Sequence, residues 1–103
     1  MKKISLKLHR DIITVIVNVC RAYHANTTGD RLFDLFWSET ITELLLKFAK
    51  LRNRSSAFIT VNFKLDELII LRELHELNAQ LNPAGYETIV LQEYVINPVL
   101  RLV

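Results

Sequence analysis

Two stretches of this chain alternate strictly between apolar and polar residues, and they read almost alike. In KISLKLHRD, residues 3–11, Ile4, Leu6 and Leu8 alternate with Ser5, Lys7 and His9. In FITVNFKLD, residues 58–66, Ile59, Val61 and Phe63 alternate with Thr60, Asn62 and Lys64. Alternation with period two belongs to a strand that buries one face. Each stretch ends in an Asp, Asp11 or Asp66, just before an apolar run. A lone strand leaves its backbone N–H and C=O groups without partners. Two equivalent strands are therefore expected to pair about a pseudo-twofold axis as an antiparallel ribbon. Ile4, Leu6, Leu8, Ile59, Val61 and Phe63 then face the core, and Ser5, Lys7, His9, Thr60, Asn62 and Lys64 face out.

The remainder reads as helix. Residues 10–24 are rich in β-branched side chains, which suit a strand. However, Arg10, Thr14, Asn18 and Arg21 recur at spacings of four, four and three, which makes one polar stripe on an otherwise apolar helix. NTTGD, 26–30, breaks the pattern. A long helix follows from about Asp30 to about Asn53. Its expected apolar face is Leu32, Phe33, Leu35, Phe36, Trp37, Ile41, Leu44, Leu45 and Phe48, and its solvated stripe is Glu39, Glu43, Lys47 and Lys50. RNRSS, 52–56, is a polar connector. A third helix is expected from about Leu65 to Leu81, with Asp66 and Glu67 in its first turn. NPAG, 82–85, is the second break. A last helix runs from about Tyr86 to near Asn97, where Pro98, lacking a backbone donor, ends or kinks it.

The order of elements repeats. Ile4 and Asp11 match Ile59 and Asp66 at an offset of 55, and Asn26 and Gly29 match Asn82 and Gly85 at 56. The two glycines of the chain sit at equivalent breaks, where the left-handed conformation stops a helix. The expected fold is mainly α with a two-stranded antiparallel ribbon, one domain over 1–103. It is built from two strand–helix–helix halves, about 3–53 and 57–103.

Charge is uneven along the chain. Residues 1–10 and 47–64 hold nine of the 13 basic side chains and no acid, while the other 75 residues carry four bases and all 11 acids. If the strands lie together the bases converge, which makes an electrostatic footprint for a polyanion. The alternative is that Lys on edge strands serves solubility. Half of the residues are apolar and mean hydropathy is +0.20. In so small a domain, that points to burial against a second copy, as a homodimer, or against another protein.

The composition excludes several classes. Cys20 is the sole cysteine, so no internal disulfide forms, which fits a reducing, cytoplasmic compartment. No apolar run is long enough to span a membrane. MKK before the apolar run 12–20 has the outline of a leader, but Arg10, Asp11 and Asn18 argue against one. Cys20 and His24 stand four apart on one helix, yet two ligands are too few for a metal site. Neither a nucleophile–base spacing nor a Gly-rich phosphate loop occurs, so no enzyme, cofactor or metal is expected.

Thr60-x-Asn62-x-Lys64 on a paired strand, within two strand–helix–helix halves, resembles the ribbon–helix–helix family of DNA-binding proteins. The resemblance implies a ribbon that enters the major groove and reads base edges with its outward residues. Lys7 and Lys64 would contact bases or nearby phosphates, and Asn62 would pair with adenine. Lys2, Lys3, Arg52 and Arg54 would hold the DNA backbone. The turns at Gly29 and Gly85 would grip phosphate through backbone N–H groups. The competing expectation is a homo-oligomeric interaction module, an inhibitor or accessory protein that binds no nucleic acid.

Overall fold

The computed structural model describes residues 3–51 and 53–102. β1 (Ile4–His9) leads directly into α1 (Arg10–Tyr23), followed by α2 (Arg31–Leu51), β2 (Phe58–Phe63) and α3 (Leu65–Leu81). The chain ends in α4 (Tyr86–Leu91), a π-helical turn (Gln92–Ile96) and α5 (Asn97–Leu102), which run on from one another. The fold is mainly helical, with a two-stranded antiparallel sheet.

The strands pair within the chain, Ile4 opposite Phe63 and His9 opposite Phe58. Two bonds fix the phase of the ladder. The Arg10 N–H donates to the Ala57 carbonyl at 3.0 Å, and Lys47 Nζ reaches the Asn62 carbonyl at 2.7 Å from the far side. Cross-strand bonds therefore fall at even-numbered residues of β1, and the backbone groups of Ser5, Lys7 and His9 face away from β2. Leu6, Leu8, Ile59, Val61 and Phe63 are buried as the alternation requires, and Ile4 is half-buried.

α1 lies at the centre of the helical layer, against α2, α3 and α4. Ile12, Ile13, Val15, Ile16, Val17, Val19 and Cys20 are all buried, and Arg10, Thr14, Asn18 and Arg21 are exposed. A β-branched residue gives up a few tenths of a kcal/mol in helix propensity. Burying its side chain returns about 1.5–3 kcal/mol, so tertiary packing decides the conformation. His9 caps the helix, its Nδ1 accepting the Asp11 N–H at 3.1 Å.

α2 departs from its expected face. Trp37, Ile41, Leu44 and Phe48 are buried, but Leu32 is 81% exposed and Leu35 57%. At 100° per residue these two lie about 140° and 160° around the helix from Trp37, so LFDLFW is too dense to fit on one face. Lys47 also leaves its expected solvated stripe. Its Nζ pairs with Glu67 Oε1 at 2.6 Å, with Glu67 1% exposed and Lys47 27%. Glu67 Oε1 accepts the Lys64 N–H at 2.8 Å as well, and so caps the start of α3.

A second polar thread crosses the helices. The Tyr23 hydroxyl donates to Asn78 Oδ1 at 2.9 Å, and Asn78 Nδ2 donates to Thr88 Oγ1 at 2.8 Å. Thr88 in turn donates to the Asn82 carbonyl at 2.7 Å. Trp37 Nε1 donates to the Tyr23 carbonyl at 2.9 Å. The helix that begins at Tyr86 does not end at Pro98. The π turn immediately upstream, where the Asn97 N–H bonds the Gln92 carbonyl, carries the backbone past a residue with no N–H. Gln92 also ties this turn to α3 and α5. Its Oε1 accepts from His75 Nε2 at 2.8 Å, and its Nε2 donates to Asn97 Oδ1 at 2.6 Å. His75 Nδ1 is buried and has no hydrogen-bond partner among the described residues.

The Lys47–Glu67 pair gives an asymmetric prediction. Lys47→Met strands a buried carboxylate and costs about 3–5 kcal/mol. Glu67→Gln costs less, because Lys47 can turn to water and the amide oxygen still caps Lys64. Urea unfolding followed by Trp37 fluorescence checks the order; a larger loss in Glu67→Gln contradicts it.

Candidate functional site

Period two and the register bring six side chains onto the outer face of the ribbon. Ser5 stands opposite Asn62, Lys7 opposite Thr60 and His9 opposite Phe58. The three rows span about 14 Å along the strands, at two residues per row. Ser5, Lys7, Phe58, Thr60 and Asn62 are exposed, and His9 is half-buried. The Ser5 hydroxyl donates to Asn62 Oδ1 across the ribbon, which holds that amide in place. At the other end, the Phe58 ring meets His9 edge-on, with centroids 5.2 Å apart. Lys7 Nζ sits 5.8 Å from the Phe58 centroid.

Phe58 was absent from the expected outer set, although its parity with Thr60 and Asn62 places it there. Lys64 was expected on this face, but it has left the strand and stands at the start of α3, with its side chain exposed. Lys3 precedes β1 at the same end of the ribbon as Lys64, so the two bases stand together just beyond the Ile4–Phe63 row. Arg10 and Arg54 lie toward the His9–Phe58 end, both exposed. Asp11 also lies there, its carboxylate 3.5 Å from His9 Nδ1. Lys2 and Arg52 lie outside the described residues. Lys47, counted among the converging bases, is committed to Glu67.

The two glycine turns differ from each other, and only Gly29 takes the expected left-handed conformation. Gly29 is left-handed at φ 90°. Around it, Asp34 accepts from the Thr28 N–H at 2.8 Å and the Gly29 N–H at 3.2 Å. Asp30 caps α2 through the Leu32 and Phe33 N–H groups at 3.0 and 3.2 Å. Two carboxylates thus occupy the place a phosphate would take, so the turn at Gly29 does not offer its N–H groups to a phosphate. The Thr28 N–H, above all, holds the Asp34 carboxyl below its ordinary range. Gly85 is not left-handed; it has φ −68° and ψ 151° and precedes α4. Glycine is favoured there by proximity, since a Cβ would come within 3.1 Å of Asn82 Cβ and 3.2 Å of its carbonyl oxygen. The acid Glu87 stands in the first turn of α4, where it opposes a phosphate.

Cys20 and His24 do not converge on a metal. Cys20 is fully buried, while His24 Nε2 bonds Thr42 Oγ1 at 2.9 Å and approaches the Ser38 carbonyl at 3.3 Å. Among the described residues, no group of three or more His, Cys, Asp or Glu side chains is placed to hold a metal ion. No helix among them is long and apolar enough to cross a membrane. No family model, curated protein or solved structure matches the chain.

Burial pushes the Cys20 thiol up to about 12, which removes the reactive thiolate at neutral and mildly alkaline pH. The native protein is therefore expected to resist iodoacetamide at pH 8 and to react stoichiometrically once unfolded in urea. Fast native labelling, read by mass spectrometry, would show that Cys20 is accessible.

Proposed function

We propose that this protein binds double-stranded DNA by laying the outer face of its ribbon into the major groove. The observation that carries this reading is the register. Ser5, Lys7, His9, Thr60 and Asn62 share one outward face, with Phe58 beside them. A two-stranded ribbon fits a groove about 12 Å wide. The side chains are suited to base edges: Asn62 pairs with adenine through both amide atoms, Lys7 donates to guanine, and Thr60 or Phe58 contacts a thymine methyl. Ser5 pre-orients Asn62, which lowers the ordering cost on binding. Lys3, Lys64 and Arg54, at the ends of the ribbon, serve the phosphates.

In this reading the halves at about 3–53 and 57–103 are equivalents about a pseudo-twofold axis, as the resemblance to ribbon–helix–helix proteins implies. One chain then supplies both strands. Neither glycine turn grips phosphate in this account, so affinity rests on the basic side chains and falls steeply with salt. The reading also implies a cytoplasmic protein with no catalytic role.

Anisotropy titrations against mixed-sequence duplexes at two salt concentrations test this. Asn62→Ala should relax sequence preference, losing about 1–3 kcal/mol of discrimination at one base pair. Arg54→Ala should weaken every duplex about equally and lower the salt slope by about 1. No retention of the wild-type protein on any duplex at low salt would refute the proposal.

A further inference from the structure

The two edges of the ribbon are treated differently. On the β2 side, Lys47 reaches in from α2 and takes the Asn62 carbonyl, which blunts that edge. On the β1 side, the phase of the ladder turns the N–H and C=O groups of Ser5 and Lys7 outward, and no backbone group among the described residues bonds them. Beside this open edge runs a groove of about 600 Å³, lined by Lys7, Phe58, Tyr86, Val90, Tyr94 and Pro98 among others. Phe58 is 54% exposed, Tyr86 67% and Tyr94 57%. At about 200 Å² for each such side chain, these three leave roughly 350 Å² of largely apolar surface in water. That is somewhat under half of the ~800 Å² that each partner of a standard interface contributes. A strand paired along Ile4–His9 would supply much of the rest.

We propose that β1 pairs edge to edge with β1 of a second copy, in an antiparallel, twofold arrangement that makes one four-stranded sheet. The identity of the occupant follows from register. Only the odd-numbered residues offer outward backbone groups, so three registers place the twofold axis near the middle of the strand. An axis at Lys7 sets Lys7 directly opposite its own copy. An axis at Ser5 sets Lys3 opposite Lys7. Like charges directly opposed destabilise a strand pair. An axis at Leu6 avoids both: Ser5 faces Lys7 of the partner in two hydrogen-bonded pairs, and Lys3 faces His9. On the underside, Leu6 then meets Leu6, and Ile4 meets Leu8. A net charge of +2 opposes association only weakly.

This inference stands without the DNA reading and sets a condition on it. Four strands at about 4.8 Å spacing make a sheet about 19 Å across, wider than the major groove at about 12 Å. Edge pairing and groove entry would therefore exclude each other.

Sedimentation equilibrium of the full chain without DNA tests the pairing. The wild-type protein should form a dimer of twice its 12.0 kDa mass. Ser5→Glu places an acid opposite Lys7 and should tighten the dimer; Ser5→Lys should weaken it. By symmetry each contact occurs twice, so each dissociation constant should move by roughly tenfold in its direction. Lys7→Pro removes an outward N–H without touching the β1–β2 ladder and should give a folded monomer. In the dimer, the Ser5 and Lys7 amides should be protected from exchange and lose that protection on dilution, while Leu6 and Leu8 keep theirs. A monomer at every concentration, a dimer indifferent to the charge at position 5, or a dimer with fast-exchanging Ser5 and Lys7 amides would each overturn the proposal.

Discussion

The backbone hydrogen bonds between Ile4–His9 and Phe58–Phe63 join segments roughly half the chain apart, and the hydrophobic core is assembled on the underside of that pairing. A two-stranded sheet is marginal alone. It persists here because Leu6, Leu8, Ile59, Val61 and Phe63 are buried beneath it. Closing so long a loop costs entropy before any contact repays it. Slipping the register by one residue would turn every apolar side chain to water. Register and core therefore specify each other, and the same register determines what the outer face presents.

Buried polar groups then select one helix arrangement among those that hydrophobic burial alone would allow. Glu67 links the start of α3 to Lys47 of α2, and Lys47 continues to β2. Tyr23, Asn78 and Thr88 join α1, α3 and α4. Each bond adds little by itself, about 0.5–1.5 kcal/mol net. Leaving one partner buried and alone costs more, so alternative packings that break the threads are penalised. The π turn belongs to the same logic, since it carries the last helix past Pro98 and brings Gln92 to His75.

The ribbon and its register were legible because alternation of period two has no competing explanation over six residues. α1 was legible from its polar stripe, even though its β-branched residues favour a strand. What lay hidden depended on which of several admissible partners tertiary structure would choose. Lys47 could equally have paired with Glu43 one turn earlier, and only the arrival of α3 draws it to Glu67. Leu32 and Leu35 belong to a run too apolar to reveal which side faces inward. Gly85 is favoured by a close approach to Asn82, which sequence does not display. Phe58 shares the parity of Thr60 and Asn62 and could have been placed by the alternation itself.

The chain thus presents one ordered, mostly polar face on a ribbon held from beneath, with bases at both ends of the strands. Amide chemical-shift mapping during titration with a DNA duplex reads that account residue by residue. Perturbations should concentrate at Ser5, Lys7, His9, Phe58, Thr60 and Asn62, with Arg54 and Lys64 at the margins. Perturbations centred on the outer side of α2 or on α5, with the ribbon silent, would contradict it.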